Sequence, residues 1–73
     1  MYRFDIMVLG QISESLSCDD KDTAIKYILK FRQADNFGFK FYINDEQVPY
    51  NKINEVMGIT SKMILDSYAL KKN

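Results

Sequence analysis

From Tyr2 to Val8 the chain alternates, with Tyr2, Phe4, Ile6 and Val8 on one parity and Arg3, Asp5 and Met7 on the other. A period of two predicts a strand with one face on a core. Leu9, Gly10 and Gln11 supply a turn, after which Ile12, Glu14, Leu16 and Cys18 alternate with Gln11, Ser13, Ser15 and Ser17. This more polar run suits an exposed edge strand, and the pair predicts a hairpin. Asp19, Asp20 and Asp22 stand where a helix would begin, since carboxylates there accept from free N–H groups and complement the positive end of the helix dipole. From Thr23 the spacing becomes helical: Ala24, Ile25, Ile28, Leu29 and Phe31 form an apolar stripe, and Asn36 to Gly38 offers a left-handed stop.

Phe37, Phe39, Phe41 and Ile43 alternate with Gly38, Lys40, Tyr42 and Asn44, a second strand that breaks at the turn formers Asn44 and Asp45. Gln47 to Tyr50 is the expected return strand, and Pro49, lacking an N–H, confines it to an edge. Helical spacing returns with Ile53, Val56 and Met57, then with Met63, Ile64 and Tyr68 beyond Gly58, which predicts two short helices. The fold class that follows is α+β. An antiparallel sheet from two hairpins around one helix, in the order β-β-α-β-β, is followed by one or two short C-terminal helices, with all helices on one face of the sheet. Ile25, Ile28, Leu29, Phe39, Phe41 and Ile43 are the expected core.

A length of 73 residues leaves room for one domain with a thin core, and 47% hydrophobic residues make the chain too apolar to be disordered. Ten basic and ten acidic residues cancel, so the molecule as a whole attracts neither nucleic acid nor anionic lipid. The halves differ. Residues 1 to 50 carry six basic and eight acidic groups, whereas residues 51 to 73 carry four basic and two acidic. A lone Cys18 forms no internal disulfide, which favours a reducing cytoplasm. The N-terminal apolar run is short and interrupted by Asp5, and it reads as a strand rather than a signal peptide or a membrane span. Eight Lys against two Arg, with heavy use of Asn, Ile, Tyr and Phe, suggest an AT-rich genome, as in low-GC bacteria and their phages or plasmids.

Catalytic chemistry has few carriers. The sequence holds no histidine, and Cys18 lacks the imidazole that normally activates a thiol. Its three glycines are scattered and form no phosphate loop. Asp19, Asp20 and Asp22, with Glu14, lack the spaced oxygens, central glycine and closing glutamate of a calcium loop. No cofactor and no metal are expected. The acidic run is instead a candidate for meeting a basic partner, imitating phosphate charge toward a nucleic-acid-binding protein. Five Tyr and five Phe exceed what so thin a core must bury, and aromatics left outside mark interfaces. Tyr42 and Lys40 lie on the strand face opposite Phe39 and Phe41, while Tyr27, Tyr42 and Tyr50 suit the rim of the core.

The stretch from Ile53 to Tyr68, INEVMGITSKMILDSY, resembles the helix-turn-helix of DNA-binding proteins. Ile53, the pair Val56 and Met57, Gly58 at the turn, Ile59, the polar pair Thr60 and Ser61, and Ile64 carry the resemblance. It implies that Thr60, Ser61, Lys62, Leu65 and Asp66 lie on or beside the face that enters a major groove, with Lys52, Lys71 and Lys72 near phosphates. Two positions depart from the pattern. Asn54 stands where a small residue lets the helices approach, and Ser67 falls on a late apolar position.

The expected function is therefore non-enzymatic: a regulatory or inhibitory protein that binds another protein or forms a homodimer, encoded by a phage or mobile element of a low-GC bacterium. Lys40, Tyr42, Asp19, Asp20 and Asp22 are its candidate interaction residues. The alternative is a DNA-binding regulator using Lys52, Thr60, Ser61, Lys62, Lys71 and Lys72.

Overall fold

The computed structural model describes residues 1–33 and 38–71, with side chains through residue 69. Strand β1 (Tyr2–Val8) and strand β2 (Gln11–Cys18) form the first hairpin, helix α1 (Lys21–Arg32) crosses the sheet, and β3 (Gly38–Ile43) with β4 (Glu46–Val48) forms the second. A 3-10 turn (Tyr50–Lys52) leads into α2 (Ile53–Met57) and α3 (Ser61–Lys71). The sheet order is β2-β1-β3-β4 and every pairing is antiparallel. This is the α+β class that the periodicities predict.

Strand β1 lies between β2 and β3, and its alternating face, Tyr2, Phe4 and Ile6, supplies the middle of the core. Phe4 pairs in register with Leu16 on one side and Phe41 on the other. Phe4 is the centre of the core, stacked on Phe41 at 4.9 Å and edge-on to Phe31 of α1 at 5.7 Å. Ile25 and Ile28 are buried with it, as is Phe41, whereas Leu29, Phe39 and Ile43 are only partly buried and pack at the periphery. The core is completed instead by Ala24, Phe31, Ile53, Met57 and Ile59, so the C-terminal helices help to close it.

Helix α1 starts where the carboxylates predict. Asp20 is its N-cap, with Oδ2 accepting from both the backbone N and the Oγ1 of Thr23 at 2.8 Å, while Lys30 and Arg32 occupy the last turn. It ends at Gln33, and the stop expected at Asn36 to Gly38 falls largely outside the described residues, with Gly38 itself opening β3.

Two sequence expectations are corrected. The return strand is β4, Glu46–Val48, because Pro49 ends it and Tyr50 already belongs to the 3-10 turn. A bulge between Ile6 and Met7 leaves Ser13 without a register partner, so Met7 pairs with Ile12 and Ile6 with Glu14. One extra residue inverts the parity of the strand. Ile12 therefore joins the open face instead of sharing a face with Leu16 and Cys18.

Candidate protein-interaction surface

With the helices on the Phe4 face, the other face of the sheet carries Arg3, Asp5 and Met7 from β1, Ile12, Ser15 and Ser17 from β2, and Lys40 and Tyr42 from β3. Its centre is held by internal ion pairs and a hydrogen bond, although Arg3 Nε is buried without a hydrogen-bond partner. Asp5 is only 7% exposed, accepts a 2.7 Å hydrogen bond from Ser15 Oγ and lies 3.5 Å from Arg3 Nε. Arg3 also reaches Asp45 at 3.2 Å and lays its guanidinium over the Tyr42 ring at 4.1 Å. Tyr42 is thus half-buried beneath Arg3, a platform rather than a free anchor. Lys40 stays exposed, in register with Asp5.

The β1–β2 hairpin is less self-contained. Its turn places Leu9 at φ 53° and Gly10 at φ 78°, the consecutive left-handed residues of a type I′ turn. Asn or Gly ordinarily takes the first of these positions, because a Cβ is strained there. Leu9 accepts that strain and is also 96% exposed, so neither backbone preference nor burial accounts for a leucine. Val8 and Ile12 flank it, Ile12 at 58% exposure, and the three line one shallow depression with Gln11 and Ser13. Sequence reasoning missed this cluster. The signal was a leucine before Gly10 in a hairpin turn; the bulge that turns Ile12 outward has no comparable mark.

Asp19, Asp20 and Asp22 are all exposed at the junction of β2 and α1. Asp20 is committed to its cap, and the hydrogen bonds from Thr23 hold its carboxyl below the ordinary value. Asp22 lies in the first turn of α1, on the helical side of the sheet, so the acidic run and the Lys40–Tyr42 pair are on opposite faces. They do not form one site. Cys18 is partly buried, donates toward the Asp20 carbonyl at 3.7 Å, and burial raises its thiol above the ordinary value. No cluster of three or more metal-ligating side chains occurs among the described residues.

In the C-terminal segment Gly58 caps α2 in the left-handed conformation at φ 70°, and Thr60 Oγ1 caps α3 by accepting from Met63 N at 3.2 Å. Thr60, Ser61 and Lys62 are exposed at the start of α3, as are Leu65 and Asp66. Lys52 is exposed and lies 3.8 Å from Glu55, whereas the Lys71 side chain and Lys72 lie outside the described residues. Both departures from the helix-turn-helix pattern have structural partners. Asn54 accepts from Arg32, whose guanidinium also stacks on Tyr50, and Ser67 accepts from Gln33 at 2.8 Å while donating to the Ile64 carbonyl. These polar positions latch α2 and α3 onto α1. Between α1 and α3 an open groove of about 680 Å³ is lined by Ile25, Leu29 and Met63 together with Asp22, Lys26, Lys30 and Asp66.

No described helix is long and apolar enough to cross a membrane. Comparison with known proteins gives no match to a family model, a curated protein or a solved structure.

Proposed function

We propose that this is a non-enzymatic regulatory or inhibitory protein that acts by binding another protein, with the β1–β2 hairpin as its principal contact. Leu9 carries the reading. A leucine that is 96% exposed and held at φ 53° is costly to the free protein on two counts, and a partner that covers it removes one of them. Ile12 and Val8 enlarge the apolar patch, Glu14 lies two residues beyond Ile12, and the exposed carboxylates past the far end of β2 add charge suited to steering a basic partner. Lys40, exposed on the open face, contributes beside the half-buried Tyr42.

A second reading, DNA binding through α2 and α3, is favoured by the left-handed Gly58 at the turn and by the exposure of Thr60, Ser61 and Lys62. Exposed Leu65 and Asp66 on the same helix oppose it, because neither suits a phosphate-lined groove. The two readings separate by salt. Neutralising phosphates with Lys52, Lys62, Lys71 and Lys72 would give a log–log slope of affinity on salt of roughly −3 to −4. Fluorescence anisotropy with mixed-sequence and AT-rich duplexes at two salt concentrations measures it. The protein-binding reading expects no duplex binding at moderate salt, and tight binding with a steep slope that Lys62→Glu removes would overturn it.

A further inference from the structure

The two edges of the sheet are not alike. Strand β4 spans Glu46–Val48 and is stopped by Pro49, so it offers little backbone to another chain. Strand β2 spans Gln11–Cys18, holds neither proline nor lysine, and among the described residues pairs only with β1. Its outer N–H and C=O groups form a template for one more strand. Two features restrict what can pair there. The bulge at Ser13 bends the start of the strand, leaving Glu14 to Cys18 as its regular part, and Glu14 adds a carboxylate on the helical face opposite Ile6.

Charge selects the occupant. Residues 11 to 22 hold Glu14, Asp19, Asp20 and Asp22 against Lys21 alone, a net charge of −3. Arg3, on the neighbouring strand, is already held by Asp5 and Asp45. Antiparallel pairing of β2 with a second copy would lay two segments of net charge −3 side by side, and in the register centred on Glu14 the two carboxylates would stand directly opposite each other, where like charges destabilise a ladder. An acidic segment fails for the same reason. We infer that β2 is completed by an extended, cationic segment of the protein partner, which adds as a fifth strand. A lysine or arginine of that segment sits beside Glu14, further basic residues lie toward Asp19 and Asp22, and an apolar side chain packs on Ile12 and Leu9. This rests on the protein-binding reading and names the chemistry of the partner.

The test is titration of the isotopically labelled protein with a short synthetic peptide alternating lysine with valine or threonine, and with its glutamate-for-lysine counterpart. Amide shifts and hydrogen exchange are read residue by residue. The expected result is that the cationic peptide alone binds, with shifts and new protection concentrated at Gln11 to Cys18, and that Glu14→Lys weakens it by about tenfold. Leu9→Asn, a variant that relieves the turn, is expected to weaken it as well while keeping the fold. Absence of new protection in β2, binding of both peptides alike, or indifference to Glu14→Lys would overturn the inference. So would a dimer in sedimentation that Leu9→Asn dissociates. The two readings fail separately: capture of a protein that survives nuclease while β2 stays silent refutes only the edge, whereas capture that requires nucleic acid refutes protein binding itself.

Discussion

Leu9 is the residue at which stability and binding are most directly opposed. At φ 53° a side chain with a Cβ costs roughly 1–2 kcal/mol, a cost that asparagine largely avoids. Leu9→Asn is therefore expected to raise stability by about 1 kcal/mol, a rise of about 5 °C in the melting temperature of a chain this size. It should at the same time weaken capture of the partner. A melting curve checks the first effect, and an unchanged or lower midpoint would show that the leucine contributes to the fold. Asp20 makes a prediction about pH. Its carboxyl is held below the ordinary value by Thr23, so the unfolded chain binds the proton more readily, and the cap stabilises the protein above about pH 4. That contribution is lost as the pH falls through the folded-state value. Asp20→Asn, which still accepts the hydrogen bond without titrating, should flatten this segment of the stability profile. Cys18 is expected to react slowly, because burial raises its thiol; Cys18→Ser should leave binding intact, and alkylation at pH 8 should lag behind that of a free cysteine.

Among the elements, the strands and α1 were legible because their signals are local: β1 and β3 alternate, α1 has an apolar stripe, and Asp20 stands at its start. The bulge was not legible. Nothing in GQISES distinguishes a regular strand from one in which Ser13 lacks a partner, yet that residue decides whether Ile12 faces the core or solvent. The end of the sheet at Val48 was half legible, since Pro49 announces an edge but not how short the strand is. The latches from Arg32 to Asn54 and from Gln33 to Ser67 join residues far apart in sequence, so the same side chains read as flaws in a motif. Candidate residues fared similarly. Lys40, Tyr42 and the acidic run were found by exposure and charge, but parity on the sheet separates them, and the hairpin tip that they overlook is an irregularity rather than a pattern. Two substitutions test the elements. A Cβ at Gly58 would meet nothing within 4 Å, so Gly58→Ala costs about 1 kcal/mol through its φ of 70° alone. Ile28→Ala, which leaves a cavity beneath α1, should cost about 3 kcal/mol, and Ile28→Asp should abolish cooperative unfolding in chemical denaturation.

For the whole molecule, a thin core covered by helices on one side leaves the opposite sheet face and one edge to solvent. The centre of that face is occupied by contacts among Arg3, Asp5, Ser15 and Tyr42, and the β4 edge is short. The unmet surface collects along the β1–β2 hairpin, with strain and apolar exposure at its tip, free backbone and Glu14 along β2, and the acidic run past the far end of that strand. Zero net charge argues against a general affinity for nucleic acid, so binding has to be local. The most direct test is affinity capture from a bacterial lysate with the wild-type chain, Leu9→Asn and Lys62→Glu, each with and without nuclease, scored by the stoichiometry of the captured protein. The expected result is one stoichiometric protein partner that survives nuclease, is retained by Lys62→Glu and is lost with Leu9→Asn although that variant is folded. Capture that disappears with nuclease or with Lys62→Glu, and is indifferent to Leu9→Asn, would contradict it.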